Sequence, residues 1–188
     1  TVFLVAMATA ARSDDLSKLS CEAPFLRERK SPPSFVLLPT DLRKQSRSSH
    51  LSEDMVVAKF SGDRLIDPFR TLKLYLKRVD QLRGSVKSLF VTYKSGEKSA
   101  PVAQTIARWL VETIQFAYKS SHKNLEKVSG HSTRAMSTLW ALFNGASIES
   151  ILKAADWSST NVFAKHYLKK VETERSEFCQ AALKPTTS

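Results

Sequence analysis

Two cysteines in 188 residues, Cys21 and Cys179, are too few for a disulfide framework and fit a reducing intracellular compartment. Neither stands at a metal-ligand spacing. The four histidines, His50, His122, His131 and His166, form no HxxxH or Cys/His cluster, so neither a metal nor another cofactor is expected. No run of about 18 apolar residues is present to span a membrane. The apolar opening, residues 2–8, is short and has no basic residue before it, which argues against a secretory signal. Internal repeats and low-complexity stretches are missing too. Acidic charge is scarce: 18 Asp and Glu face 29 Lys and Arg, a net charge of +11. Such a field favours polyanionic partners, nucleic acid first and anionic membrane second. No basic amphipathic helix stands out for a membrane surface, and the aromatics are not arranged as a stacking platform for RNA.

What is present suits one folded domain. Hydrophobic residues make up 42% and aromatics 9% of the chain, enough for a core. Residues 1–9 read as a buried helix. Residues 10–15 read as a turn in which Ser13 or Asp14 caps a short helix near residues 15–20. Pro32 and Pro33 break the chain before a strand at 34–39, and a second strand follows at 55–60. The polar, basic connection between them, with Arg43, Lys44 and Arg47, makes this a hairpin with a long loop. Pro68 after Asp67 starts a helix in which Phe69, Leu72, Leu76 and Val79 recur at helical spacing to about Leu82. Residues 89–93 form a short strand, and a long helix runs over 103–118 with Ile106, Leu110, Ile114 and Ala117 on one face.

The last third is the most regular. Met136, Leu139, Trp140 and Phe143 predict a helix with these four on its apolar face, stopped by Gly145. Ser147 caps the next, carrying Ile148, Ile151, Leu152 and Ala155. Ser158 or Ser159 caps a third, with Val162, Phe163, His166 and Tyr167. The fold class expected is α+β, mostly α-helical, with a small antiparallel β-sheet near residues 21–60; residues 181–188 read as a loose tail. The chain does not begin with Met and opens as if mid-helix, so an N-terminal portion is expected to precede it.

Chemistry concentrates in a few positions. His131 and Arg134 stand three apart, on one face of a helix. An imidazole beside a guanidinium makes a poor hydrophobic face and a good phosphate clamp, since the arginine fork matches two phosphate oxygens. A helix N-terminus adds backbone donors for the same anion. Tyr167 is a nucleophile once cations or a base act on its phenol. Trp157 can donate an indole N–H to a phosphate oxygen. Arg12 follows an apolar run directly, and Lys44 is a flexible cation able to protonate a leaving oxygen. Singly, each has an ordinary reading as a packing aromatic or a solvated cation; the set does not.

The order Arg, Lys, His-x-x-Arg, Trp, Tyr resembles the tyrosine recombinase (phage integrase) family, specifically the eukaryotic branch of DIRS-type retrotransposons and related mobile elements. The stretch 8–19 is similar to the family's first box, with Arg12 and Asp15 in the places of its arginine and acid. Gly130-His131-Ser132-Thr133-Arg134 is similar to the second box. Trp157 fits the place where the family carries His or Trp, and Phe163-Ala164-Lys165-His166-Tyr167 fits the nucleophile box. Lys44 best matches the family's hairpin lysine, with Arg47 close by.

That resemblance implies a catalytic-domain fold over residues 1–180, with the family's N-terminal DNA-clamping domain absent. It implies that Arg12, His131, Arg134 and Trp157 hold the scissile phosphate, that Tyr167 forms a 3′-phosphotyrosyl link, and that Lys44 protonates the leaving 5′-oxygen. Asp15 would orient the arginine pocket, and Arg43, Arg47 and Lys165 would bind DNA. It further implies a metal-independent reaction on double-stranded DNA, a homo-oligomeric (tetrameric) synapse and an intracellular, nuclear location. Two other readings stay open: a retired, helix-turn-helix-like DNA-binding module, and a type IB topoisomerase-like relaxing enzyme. A retired enzyme should have lost one of Arg12, His131, Arg134 or Tyr167, and all four are present.

Overall fold

The first helix is apolar on every side, and such a helix stays in water only if the rest of the chain closes around it. The computed structural model describes residues 1–41, 54–94, 96–120, 128–157 and 159–161. In chain order the elements are α1 (Val2–Thr9), α2 (Ser13–Ser17), β1 (Leu26–Lys30), β2 (Pro33–Leu37), β3 (Met55–Ala58), α3 (Pro68–Val79), β4 (Thr92–Lys94), β5 (Glu97–Ser99), α4 (Ala103–Ser120), α5 (Ser132–Phe143) and α6 (Ile148–Ala154). The architecture is the expected mixed α+β one, mostly helical. Helix α1 packs against α3, α4, α5 and β3. Val5 and Ala6 are fully enclosed, and the buried Thr9 hydroxyl donates back to the Val5 carbonyl at 2.8 Å.

The three-stranded sheet is antiparallel in the order β1-β2-β3, with Leu26 opposite Leu37 and Leu37 opposite Met55. The expected hairpin is therefore present as β2 and β3, ending earlier than the apolar runs, at Leu37 and Ala58. Central β2 is buried from Ser34 to Leu37, while β3 alternates, with Met55 and Val57 facing the core. Strand β1 was not expected: Leu-Arg-Glu-Arg-Lys has one apolar residue and is recruited by pairing along β2. The connection holding Arg43, Lys44 and Arg47 lies outside the described residues.

Asp67 caps α3, its Oδ1 accepting from the amides of Phe69 at 3.0 Å and Arg70 at 3.3 Å, with Pro68 in the first turn. Leu72 is buried, with Phe69, Tyr75 and Leu76 against the same core. The helix ends at Val79, short of Leu82. The strand expected at 89–93 is limited to Thr92–Lys94, paired with Glu97–Ser99. Leu89 and Phe90 are instead fully buried, the Leu89 amide donating to the Leu19 carbonyl at 2.7 Å.

Helix α5 corrects the clearest periodicity in the sequence. Met136, Trp140 and Phe143 are 51%, 62% and 65% exposed, and the enclosed residues are Thr133, Arg134 and Thr138. Much of the polar stripe goes inside because most of its groups find partners there. The Thr138 hydroxyl donates to the Arg134 carbonyl at 3.0 Å, and the Ser137 hydroxyl donates to the Met7 carbonyl at 2.5 Å. Gly145 does end this region, at φ 84°, and Ser147 caps α6 by accepting from the Ser150 amide at 3.1 Å. Residues 160–161 are helical after Ser159, and the remainder of the third expected helix lies outside the described residues.

Candidate active site

The chain turns sharply between α1 and α2, and that turn places Arg12. Ala10 takes a left-handed conformation at φ 49°, a common way to end a helix but one that alanine adopts reluctantly. Arg12 is extended and occupies the N-cap of α2, a place expected for Ser13 or Asp14. Arginine has no side-chain acceptor to serve as a cap. The buried Asp15 supplies the reciprocal bond instead, its Oδ2 accepting from the Arg12 amide at 3.0 Å. The carboxylate thus fixes the backbone from which the Arg12 side chain departs, and its other oxygen, Oδ1, is buried without a hydrogen-bond partner among the described residues.

Arg134 reaches the same turn from the far end of the sequence. It sits in the first turn of α5, 3% exposed, and its Nη1 donates to the Ala10 carbonyl at 2.6 Å while Nη2 donates to the Ala155 carbonyl. Ala10 and Ala155 are the C-caps of α1 and α6. Carbonyls at helix C-termini lack intrahelical donors and carry the negative end of the helix dipole. One buried cation therefore answers two helix ends. Trp157 is 5% exposed and lies against the guanidinium, whose carbon is 4.9 Å from the ring centroid. Asp156, immediately before it, is left-handed at φ 51°, and this turn brings the indole back over Arg134.

His131 stands exposed at the N-cap of α5. Its location depends on Gly130. A Cβ there would come 2.9 Å from Ala107 Cβ on α4 and 3.4 Å from Ser13 Oγ, so the turn carrying His131 lies directly on α4 and on the residue after Arg12. The segment 130–134 thus contacts both flanks of Arg12, Ser13 through Gly130 and Ala10 through Arg134. The structure brings together Arg12, Asp15, His131, Arg134 and Trp157. Thr133, missed by sequence reasoning, belongs with them, 2% exposed with a hydroxyl that has no partner among the described residues. The base of the β2–β3 connection is tied in too. The Thr40 amide and hydroxyl both donate to the Lys18 carbonyl at 3.0 Å, just past α2. Lys44, Arg43, Arg47, Lys165 and Tyr167 lie outside the described residues.

Two arginines and an imidazole beside a helix N-terminus suit a phosphate, and among the described residues no group of three His, Cys, Asp or Glu side chains could hold a metal ion. No helix of the described residues is long and apolar enough to cross a membrane.

The fold is that of tyrosine recombinase catalytic domains. The XerA recombinase superposes with a TM-score of 0.62 at 17% identity, over 98% of this chain and 58% of its own. The Tn1549 transposon integrase, solved in complex with transposon right end DNA, gives 0.59 at 14% identity over 96% of this chain and 57% of its own. A lambda integrase dimer bound to a core site gives 0.52 at 14% identity over 92% and 52%. The chain thus spans a little over half the length of these proteins. No protein-family model and no curated protein matches the sequence.

Proposed function

We propose that this chain is the catalytic domain of a tyrosine recombinase, cutting and rejoining double-stranded DNA for integration or recombination of a mobile element of the DIRS-type branch. The observation that carries the reading is the convergence of the first and second boxes: Arg134 bonds the carbonyl two residues before Arg12, and Gly130 sets His131 against Ser13. The contact joins residues 124 apart in sequence, and it supports the reading because the two segments it joins carry the Arg12 and HxxR positions.

In this reading Arg12, Arg134 and His131 hold the non-bridging oxygens of the scissile phosphate, with Trp157 backing the Arg134 guanidinium. The Tyr167 oxygen bonds to phosphorus as the bond to the 5′-oxygen breaks. The phenolic proton passes to a base in the site, and Lys44 gives a proton to the departing oxygen. The 3′-phosphotyrosyl bond keeps the phosphodiester energy, and a 5′-hydroxyl from a second duplex reverses the step. Asp15 holds the Arg12 backbone, and Arg43, Arg47 and Lys165 bind flanking DNA. Strand exchange requires a homo-oligomer on DNA.

The test is covalent trapping. Duplexes carrying a 5′-bridging phosphorothiolate, drawn from a randomised pool, should yield a denaturation-resistant protein–DNA adduct, lost in Tyr167→Phe. No adduct, with duplex binding intact, overturns the enzyme reading in favour of a DNA-binding module. An adduct with plasmid relaxation and no strand exchange identifies a topoisomerase-like enzyme.

A further inference from the structure

A groove of 890 Å³, with no residue of the arginine turn in its lining, lies between one end of the three-stranded sheet and the flank of α3. It lies at the β1–β2 turn, where Lys30 pairs with Pro33. The connection with Lys44 leaves the sheet at the other end, beyond Leu37 and Met55. At about 3.3 Å per residue, the two ends of β2 are roughly 13–16 Å apart.

The lining is strongly basic. The sheet end contributes Arg29, Lys30 and Lys59, and the following loop contributes Arg64. Helix α3 adds Arg70, Lys73 and Lys77, which share one helix face and rise in steps of about 4.5 and 6 Å. Two carboxylates accompany them. Glu28 is paired with Lys73 at 2.5 Å, and the buried Asp67 is committed to backbone amides. A row of cations at intervals along a helix suits a repeating anion better than a single one.

One aromatic ring faces this row. Phe60 is 46% exposed, and its position is set twice. Its amide donates to Asp67 Oδ1 at 3.2 Å. Its ring lies across Gly62, where a Cβ would come 2.5 Å from Phe60 Cζ. Phe69, by contrast, is already occupied, with Phe35 5.0 Å from its centroid and Lys73 Nζ 5.7 Å away.

We propose that this groove binds a single-stranded nucleic acid, its phosphates running along the cations and one base stacking on Phe60. A duplex keeps its base faces stacked within itself and has nothing to lay on the ring. An acidic peptide would satisfy the cations but offers no planar group at each repeat. The site goes beyond the recombinase reading, which places duplex DNA at Arg12, His131, Arg134, Arg43, Arg47 and Lys165 and none of it in this groove, and stands or falls separately from covalent trapping.

Fluorescence anisotropy with the 188-residue chain tests it, using a labelled 15-nucleotide single strand, the corresponding duplex and polyglutamate as ligands. Phe60→Ala should weaken single-strand binding by about 5- to 100-fold and leave duplex binding unchanged. Lys59 and Lys77 are exposed, so the Lys59→Ala/Lys77→Ala pair should fold normally. Its log–log salt slope for the single strand should fall by about 1.4, two phosphate contacts' worth. Failure of the wild-type chain to bind the single strand, or equal losses for single strand and duplex in these variants, overturns the proposal. Polyglutamate binding that alone responds to the variants assigns the groove to an acidic protein partner and overturns it as well.

Discussion

An arginine enclosed to 3% exposure is expensive unless its charge meets acceptors, and Arg134 meets two helix-end carbonyls. A carbonyl carries no formal charge, so these two bonds hold the guanidinium without neutralising it. Lysine cannot reproduce this arrangement, because one ammonium lacks the planar fork that reaches both carbonyls while its carbon stays 4.9 Å from the Trp157 ring centroid. Arg134→Lys should therefore cost on the order of 2–3 kcal/mol in stability, measured by urea unfolding at unchanged m-value. It should also abolish adduct formation under conditions where the variant remains folded. Full activity in the lysine variant would show that a point charge suffices and that the fork is dispensable.

At the scale of elements, the turn before α5 is set by what Gly130 leaves out. A methyl there would stand 2.9 Å from Ala107 Cβ, and neither group can rotate away. Gly130→Ala should cost about 1–3 kcal/mol and displace His131, lowering the rate of adduct formation more than duplex affinity. Adding Ala107→Gly removes the opposing methyl. That double variant should recover much of the loss despite the cost of about 1 kcal/mol for a helix glycine, giving a favourable coupling in a double-mutant cycle. Additive effects would mean that the contact does not position the turn.

The same elements show what the sequence makes legible. Helix α3 was readable because cap, proline and apolar spacing agree. The site residues in α5 were readable because His131 and Arg134 are odd neighbours for a hydrophobic face. The orientation of α5 was not, since apolar spacing at Met136, Trp140 and Phe143 outvotes a stripe of Arg134, Ser137 and Thr138 until it is known that Arg134 bonds Ala10 just past α1, Ser137 bonds Met7 on α1, and Thr138 bonds back to its own helix. Strand β1 and the seat of Phe60 over Gly62 depend on partners that only the fold supplies.

At the scale of the molecule, the packing divides into two centres. The larger is built from α1, α2, β2, β3, α3 and α4. The smaller gathers Ala10, Ile151, Ala155 and Trp157, with Leu139, Leu142 and Leu152 against them. Ser137 on Met7 joins α5 to α1, and Arg134 on Ala10 holds α5 just past the end of α1. The candidate site thus lies on the seam where the two centres meet, and the expectation is that the smaller opens without unfolding the larger. Ser137→Ala removes one joint without touching the arginine turn, and about 1 kcal/mol of lost hydrogen bond corresponds to roughly fivefold faster opening. Native-state hydrogen exchange should show the Ala155 and Trp157 amides, bonded to Ile151 and Leu152 at 2.9 Å, speeding up by that factor. The amides of Val36 and Leu37 in β2 should not change. Equal acceleration of both sets would make the chain one cooperative unit, and the seam would then be a boundary of packing alone and not of stability.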